Sequence, residues 1–219
     1  MRIVGGKFAG RDLTSPGKTR VRPTSEHVRA ALLDALRGDV DGARVLDLFS
    51  GTGALGLEAL SRGAKYVDFV EMNSAALHSL KANVAKFRIK ERTRIFVKDA
   101  IHFADALPSD RYDICFADPP YESKQLDWLI RIWQERRFSR VLAVEHAAAH
   151  VLPKGQGRLT FEGSCVTIYR RTDTAPPDAT GPARSDQAPN APAPTVAPAA
   201  APPARPRPAS RPRTKRRPS

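Results

Sequence analysis

The chain has 219 residues, 41% of them hydrophobic, with 36 Lys and Arg against 23 Asp and Glu, a formal net charge of +13 at pH 7. That length builds a sizeable core, and the simplest use of the basic excess is a polyanionic partner. Two cysteines, Cys115 and Cys165, stand in apolar strand-like runs without CxxC spacing, and the five histidines show no ligand spacing. A disulfide framework and a metal site are therefore excluded as expectations. No run approaches the roughly eighteen apolar residues of a membrane span and no apolar leader is visible, so a cytoplasmic protein is expected.

In chain order, residues 1–29 carry Arg2, Lys7, Arg11, Lys18, Arg20, Arg22 and Arg29 against Asp12 and Glu26, a local excess of +5. Gly5-Gly6 and Gly10 suggest a hairpin-like segment. A helix is predicted over Ser25 to Leu36, because Val28, Ala31, Leu32, Ala35 and Leu36 share one face, with Thr24 as its N-cap. Strand and helix then alternate through Val45–Phe49, Ala54–Arg62, Tyr66–Val70, Ser74–Phe87, Arg94–Lys98, Tyr112–Ala117, Lys124–Glu135 and Val141–Glu145. This alternation predicts a mostly parallel α/β sheet. Arg158–Phe161 and Cys165–Arg170, joined by Glu162-Gly163-Ser164, read as a closing antiparallel hairpin.

The stretch Val45-Leu46-Asp47-Leu48-Phe49-Ser50-Gly51-Thr52-Gly53-Ala54-Leu55-Gly56 reads as a buried strand, a glycine loop and a helix start. Free N–H groups and the helix dipole make such a loop a place for a nucleotide-like ligand. Gly51, Gly53 and Gly56 spell G-x-G-x-x-G, and Glu71 closes the next strand, so a dinucleotide oxidoreductase has to be considered. Asp47 argues against it, because a carboxylate there repels a pyrophosphate. It suits an ammonium, so a cationic, phosphate-free adenosine ligand fits better, and Glu71 accepts ribose hydroxyls in either case.

Four successive strands end at or beside acids: Asp47, Glu71, Asp99 and Asp118. In an open parallel sheet these line one crevice beyond the strands' carboxyl ends; the plainer alternative is that each caps the turn that follows. Asp118-Pro119-Pro120-Tyr121 is the most informative of these ends. Each proline lacks an N–H and pushes the preceding residue into an extended conformation, so a carboxylate, an imide carbonyl and a ring face are held in fixed relation. That arrangement suits a flat polar group with N–H donors, such as the exocyclic amine of a nucleobase.

These residues resemble the class I S-adenosylmethionine-dependent methyltransferases that modify exocyclic amines. Met1 to Arg11, Arg22-Pro23-Thr24, Val28-Arg29, Leu55 to Ala64 and Phe69 to Asn73 narrow the likeness to the RsmD family of small-subunit (16S) ribosomal RNA guanine-N2 methyltransferases. It runs from residue 1 to about 171. The chain departs from the family where Ala30-Ala31-Leu32-Leu33 replaces Glu-x-Leu-Phe, and Tyr121 often appears as Phe.

The resemblance implies a Rossmann-like, mostly parallel sheet with a C-terminal antiparallel hairpin and a small N-terminal extension. It implies S-adenosylmethionine as cofactor, held by Asp47, Ser50, Gly51, Gly53, Glu71 and Asp99. Catalysis would fall to Asp118, Pro119, Pro120 and Tyr121, and RNA contact to Arg2, Lys7, Arg11, Arg22 and Thr24. The partner implied is ribosomal RNA or an assembling small ribosomal subunit, and a monomer without an obligate protein partner is expected. An adenine-N6 methyltransferase of DNA or RNA shares the Asp-Pro-Pro-Tyr chemistry and stays open, as does a non-catalytic RNA-binding assembly protein.

The expected organisation is an RNA-binding extension over residues 1–40, a methyltransferase core over 41–171 and a tail over 172–219. Residues 174–219 hold 13 Pro and 12 Ala, with Val196 the sole larger aliphatic, too little apolar surface to offset chain entropy, so disorder is expected. Seven basic residues without an acid lie between Arg205 and Arg217.

Overall fold

A computed structural model describes residues 1–15, 25–120 and 124–172. Residues Met1–Asp173 group as one compact unit; residues 173–219 lie outside the described residues, as do Arg22, Thr24 and Tyr121.

The chain runs α1 (Glu26–Ala35), α2 (Arg37–Val40), β1 (Arg44–Leu48), α3 (Ala54–Ser61), β2 (Tyr66–Val70), α4 (Ser74–Phe87), β3 (Thr93–Phe96), α5 (Ala100–Asp105), β4 (Tyr112–Ala117), α6 (Gln125–Arg136), β5 (Ser139–Ala147), β6 (Gly157–Phe161) and β7 (Ser164–Arg170). One seven-stranded sheet has the order β3-β2-β1-β4-β5-β7-β6, in which β1 to β5 are parallel and β7 is antiparallel to both its neighbours. The predicted parallel sheet and closing hairpin are both present. The short helices α2 and α5 went unpredicted, and the predicted strand Arg94–Lys98 is shifted towards its start.

The sheet separates two apolar layers, as the alternation of side chains along a strand requires. Val45, Val67, Phe69, Ile114 and Phe116 face the side covered by α1, α3 and α4. Leu46, Leu48, Val70, Cys115 and Ala117 face α5 and α6. Both cysteines are buried and free, as expected from their apolar runs.

The N-terminal segment is hairpin-like but forms only one ladder bridge, Arg2 with Asp12, around a 3-10 turn at Gly6–Phe8. What fixes it is contact with the core. Buried Glu58 on α3 accepts from Val4 N (2.9 Å) and Gly5 N (2.7 Å), Ser61 Oγ accepts from Phe8 N, and Phe8 packs on Phe87 of α4 at 5.1 Å between ring centroids. The N-cap of α1 is Ser25, whose Oγ accepts from Val28 N at 3.1 Å, in place of the Thr24 expected from sequence. Ser25 stands three residues before that N–H, the spacing a capping hydroxyl needs.

Candidate active site

Strand connectivity reverses direction between β1 and β4: the chain leaves β1 towards β2 and β3, then returns to the other side for β4 and β5. A crevice opens at the carboxyl ends of strands flanking such a switch point. The register brings Val70, Leu48, Ala117 and Val144 into one row across β2, β1, β4 and β5. One residue further on, the same row reads Glu71, Phe49, Asp118 and Glu145. Three acids therefore share this row, Asp118 beside Glu145 and Glu71 across Phe49 from them.

Phe49 leaves the ladder with a left-handed φ of 56°, which turns the chain sharply into the glycine loop. Ser50 is buried and donates from both N and Oγ to Val70 O, pinning the loop to β2. Gly53 is the N-cap of α3 at φ 78°, and a Cβ there would lie 2.4 Å from Leu80. Gly56 is required by proximity: a Cβ would meet Phe69 at 2.5 Å and Asp47 Oδ2 at 2.9 Å. The glycines thus serve the turn and the close approach of α3 to the sheet.

Asp47 is 4% exposed, and its Oδ2 accepts from Gly56 N at 2.9 Å. Burial raises its pKa well above the ordinary 3.8, the Gly56 bond opposes this, and the nearby charges of Asp118 and Glu71 add to it. That electrostatic coupling places the three carboxyl groups in one region. Glu71 is half-buried and braces the loop, its Oε2 accepting from Gly51 N (2.7 Å) and its Oε1 from Met72 N (2.8 Å) and Asn73 N (2.7 Å). Beside it Met72 is 65% exposed, an apolar surface that sequence reading passed over and that suits the face of a purine.

Asp99 behaves as the plainer alternative for strand-end acids expects. Strand β3 stops at Phe96, and Asp99 caps α5, accepting from His102 N at 2.9 Å and lying 3.1 Å from His102 Nδ1. It also lines an open cavity of about 440 Å³ with Lys98, His102, Phe103, Ala106 and Leu107. Asp118 is half-buried, Pro119 buried and Pro120 exposed. Glu145, buried within β5 two residues before its end, was missed as a site residue although it closes a run read as a strand; its charge bears on Arg29, itself wholly buried in α1.

Of the basic residues expected to meet RNA, Arg2, Lys7 and Arg11 are all exposed. Arg2 bonds Glu26, its Nε 3.5 Å from Oε2. Arg11 donates to Lys86 O at 2.8 Å, and its guanidinium lies 4.2 Å from the Phe87 ring centre. Among the described residues no group of three or more potential ligands could hold a metal, and no helix is long and apolar enough to cross a membrane.

The family model described as Conserved hypothetical protein 95 matches residues 1–162. The chain is 31% identical to a putative rRNA methyltransferase, YlbH, of Bacillus subtilis, over 78% of this chain and 99% of that protein. It is 36% identical to ribosomal RNA small subunit methyltransferase D of Escherichia coli, over 62% of this chain and 67% of that one. Among solved structures it superposes on the putative methyltransferase yhhF of Escherichia coli with a TM-score of 0.69 at 30% identity, covering 78% and 97% of the two chains. The chain belongs to this family, the RsmD methyltransferases.

Proposed function

We propose that the protein methylates the exocyclic N2 amine of a guanine in small-subunit ribosomal RNA, using S-adenosylmethionine. The observation that carries this reading is the row of acids at the switch point, with a glycine loop on one flank and Asp118-Pro119-Pro120 on the other. The residues fit the cofactor: a loop whose glycines admit no Cβ at Gly53 and Gly56, Glu71 for a ribose, exposed Met72 for an adenine face, and Asp47 behind the loop with Ser50 and Gly51. Asp99, at the N-terminus of α5, completes the set on its outer side. When bound, S-adenosylmethionine supplies a sulfonium methyl, an electrophile that needs only an aimed nucleophile.

Aiming is what Asp118 and Pro119 do in this reading. The guanine amine is a weak nucleophile because its lone pair is delocalised into the ring. The Asp118 carboxylate and the Pro119 carbonyl accept its two hydrogens, so nitrogen becomes pyramidal and its lone pair points at the methyl. Pro120 holds the turn extended, and Tyr121 stacks on the base once it is swung out of the RNA. Positioning supplies most of the acceleration. The methylated amine cation is strongly acidic, so its proton passes to Asp118 or to water without a dedicated base.

Residues 1–40, with Arg2, Lys7, Arg11, Arg22 and Thr24, serve as the RNA-binding extension, and residues 172–219 as a Pro/Ala/Arg-rich tail apart from the core. The enzyme works in the cytoplasm as a monomer, on ribosomal RNA or on an assembling small subunit. The test is incubation with methyl-labelled S-adenosylmethionine and separate ribosomal RNA, DNA and small-subunit fractions, followed by digestion to nucleosides. Label in N2-methylguanosine is expected. Label in N6-methyladenosine would move the target to adenine, and no label in any fraction would make the protein a non-catalytic binder.

A further inference from the structure

Glu145 is 9% exposed, an acid in a run where Val141, Leu142, Ala143 and Val144 are apolar and buried. An ionisable group is withdrawn from water that far only where its surroundings supply a reason. The register pairs Ala117 with Val144, which makes Glu145 the neighbour of Asp118 on the adjacent strand. Side chains alternate along a strand, and a residue before proline stays extended, so the alternation of β4 carries on through Asp118. Phe116 and Ala143, two positions earlier, both lie in the layer beneath α1 and α3, as does Val166, the β7 partner of Glu145. The two acids therefore leave the sheet on one face, from backbones about 5 Å apart.

On that face stands Arg29 of α1, wholly buried, whose guanidinium Nη2 donates to Arg2 O at 2.6 Å. Burial disfavours its charge, and the carboxylates of Glu58, Glu26 and Glu145 favour it. Coulomb attraction is mutual, so the same pairing keeps a negative charge at Glu145. An ionised carboxylate offers about four acceptor sites, and a partner on one side leaves others for a ligand. The result is a fixed anionic acceptor one strand away from the proposed holder of the target amine.

The glycine loop leans towards β2, through Ser50 on Val70 O and Glu71 on Gly51 N. The cofactor then lies over β1 and β2, and a base reaching its methyl enters over β4 and β5. Guanine brings its N2 amine and, next to it on the same edge, N1–H; adenine brings its N6 amine next to a bare N1, itself an acceptor. We propose that Glu145 selects guanine: its carboxylate accepts N1–H of the base whose amine is held by Asp118 and Pro119. The proposal rests on the reading of this crevice as a guanine-N2 methyltransferase site. No proton moves in this contact; N1–H stays on the ring and gives the base a second fixed point, so it does not pivot about its amine. Adenine in the same place sets the N1 lone pair against the carboxylate with no donor between them. A site built around a substrate N–H rejects the analogue lacking it far more strongly than an apolar cavity rejects a wrong shape.

The test uses 2-aminopurine, which keeps the ring and the amine of guanine but has a bare N1 and no O6. It replaces the guanine that accepts label in the ribosomal RNA, naked or in the subunit as labelling requires, and single-turnover methylation by the full-length protein is measured with saturating S-adenosylmethionine. The wild type should methylate guanine faster than 2-aminopurine by about a hundredfold or more. Glu145→Gln offers an amide that can donate to a bare N1, and Glu145→Asp keeps the charge beside Arg29 while drawing the acceptor back by one methylene. Each should shrink the advantage of guanine to less than about tenfold, with S-adenosylhomocysteine affinity within about two-fold of wild type. The missing O6 and the altered amine act equally on all three proteins, so they cancel when the ratios are compared.

A carboxylate that served only to pair with Arg29 would, once altered, slow both bases alike. An unmoved ratio in a variant that still binds S-adenosylhomocysteine therefore overturns the proposal. So does a wild type that methylates 2-aminopurine as fast as guanine, a result that needs no variant to fold. If label enters guanine while the ratios stay put, only the role of Glu145 fails. If label enters adenine, or no RNA at all, the functional reading fails first and the proposal falls with it.

Discussion

Asp47 is held where its charge is costly, and that cost should be visible in the stability of the ligand-free protein. Burial lifts its carboxyl pKa above the ordinary 3.8, and the Gly56 N–H offsets only part of the lift. A raised pKa favours the protonated form in the fold, so the stabilisation is complete below the unfolded value and is lost as pH rises through the folded one. Denaturant midpoints should therefore fall as pH climbs from about 4 towards neutrality. Asp47→Asn, which keeps an acceptor for Gly56 N, should flatten that fall; an unchanged slope would assign it to other groups. Asp118 makes a different demand, since its contribution is proposed to appear only as the amine is reshaped. Asp118→Ala should lower the single-turnover methylation rate by roughly a hundredfold with cofactor affinity changed by no more than a few-fold. Near wild-type turnover would remove Asp118 from the chemistry.

At the scale of elements, α3 does two jobs: its start carries the glycine loop, and its body holds the N-terminal segment through Glu58. That carboxylate is wholly buried, bonds two backbone N–H groups and lies 3.1 Å from Arg62 Nε. Glu58→Ala should cost about 2 kcal/mol, because it takes the acceptor from two part-buried N–H groups and leaves Arg62 with Asp34 alone. Residues 1–14 should then become the first site of limited proteolysis; resistance equal to wild type would show that Phe8 and the bonds of Thr14 to Asn83 suffice. The strands that sit deepest were readable in sequence because parallel strands buried on both faces are near-continuous apolar runs, as in β2 and β4, each interrupted by one Asp and with limits that were read correctly. Strand β3 was misread because it is an edge strand: its last pairing is Phe96 with Val70, and Val97, 60% exposed, has no partner to extend the ladder. Helix α5 spans six residues, under two turns, too few for a period to show. Within the site, the glycine loop and the acids were legible as types. The seclusion of Asp47 was not, because it follows from the approach of Gly56 to the sheet, which is tertiary.

For the whole molecule, the charge of +13 is best tested through salt. Removing one phosphate-binding side chain should reduce the salt slope of RNA binding by about 0.9 for duplex or about 0.7 for single strands. Replacing Arg2, Lys7, Arg11 and Arg22 with Ala should flatten that slope and leave cofactor binding intact. Arg2 and Arg11 are already engaged with Glu26 and Lys86 O, so Lys7 should account for more of the change than either. Deleting residues 174–219 should lower only nonspecific affinity, because a strip of arginines reads charge and not bases; a shifted methylation position would bring the tail into recognition. The clamp on the N-terminal segment also sets an order of events in synthesis. It joins residues 54, 69 and 75 positions apart, in Val4 with Glu58, Thr14 with Asn83 and Arg11 with Lys86. Contacts of such span must wait for loop closure, which is slow compared with local helix formation. Residues 1–15 are thus translated before every element that holds them, and a nascent chain that has not yet exposed α3 and α4 lacks most of their anchors. A protein whose proposed substrate is the ribosome's own RNA would leave the ribosome with this segment among the last to settle.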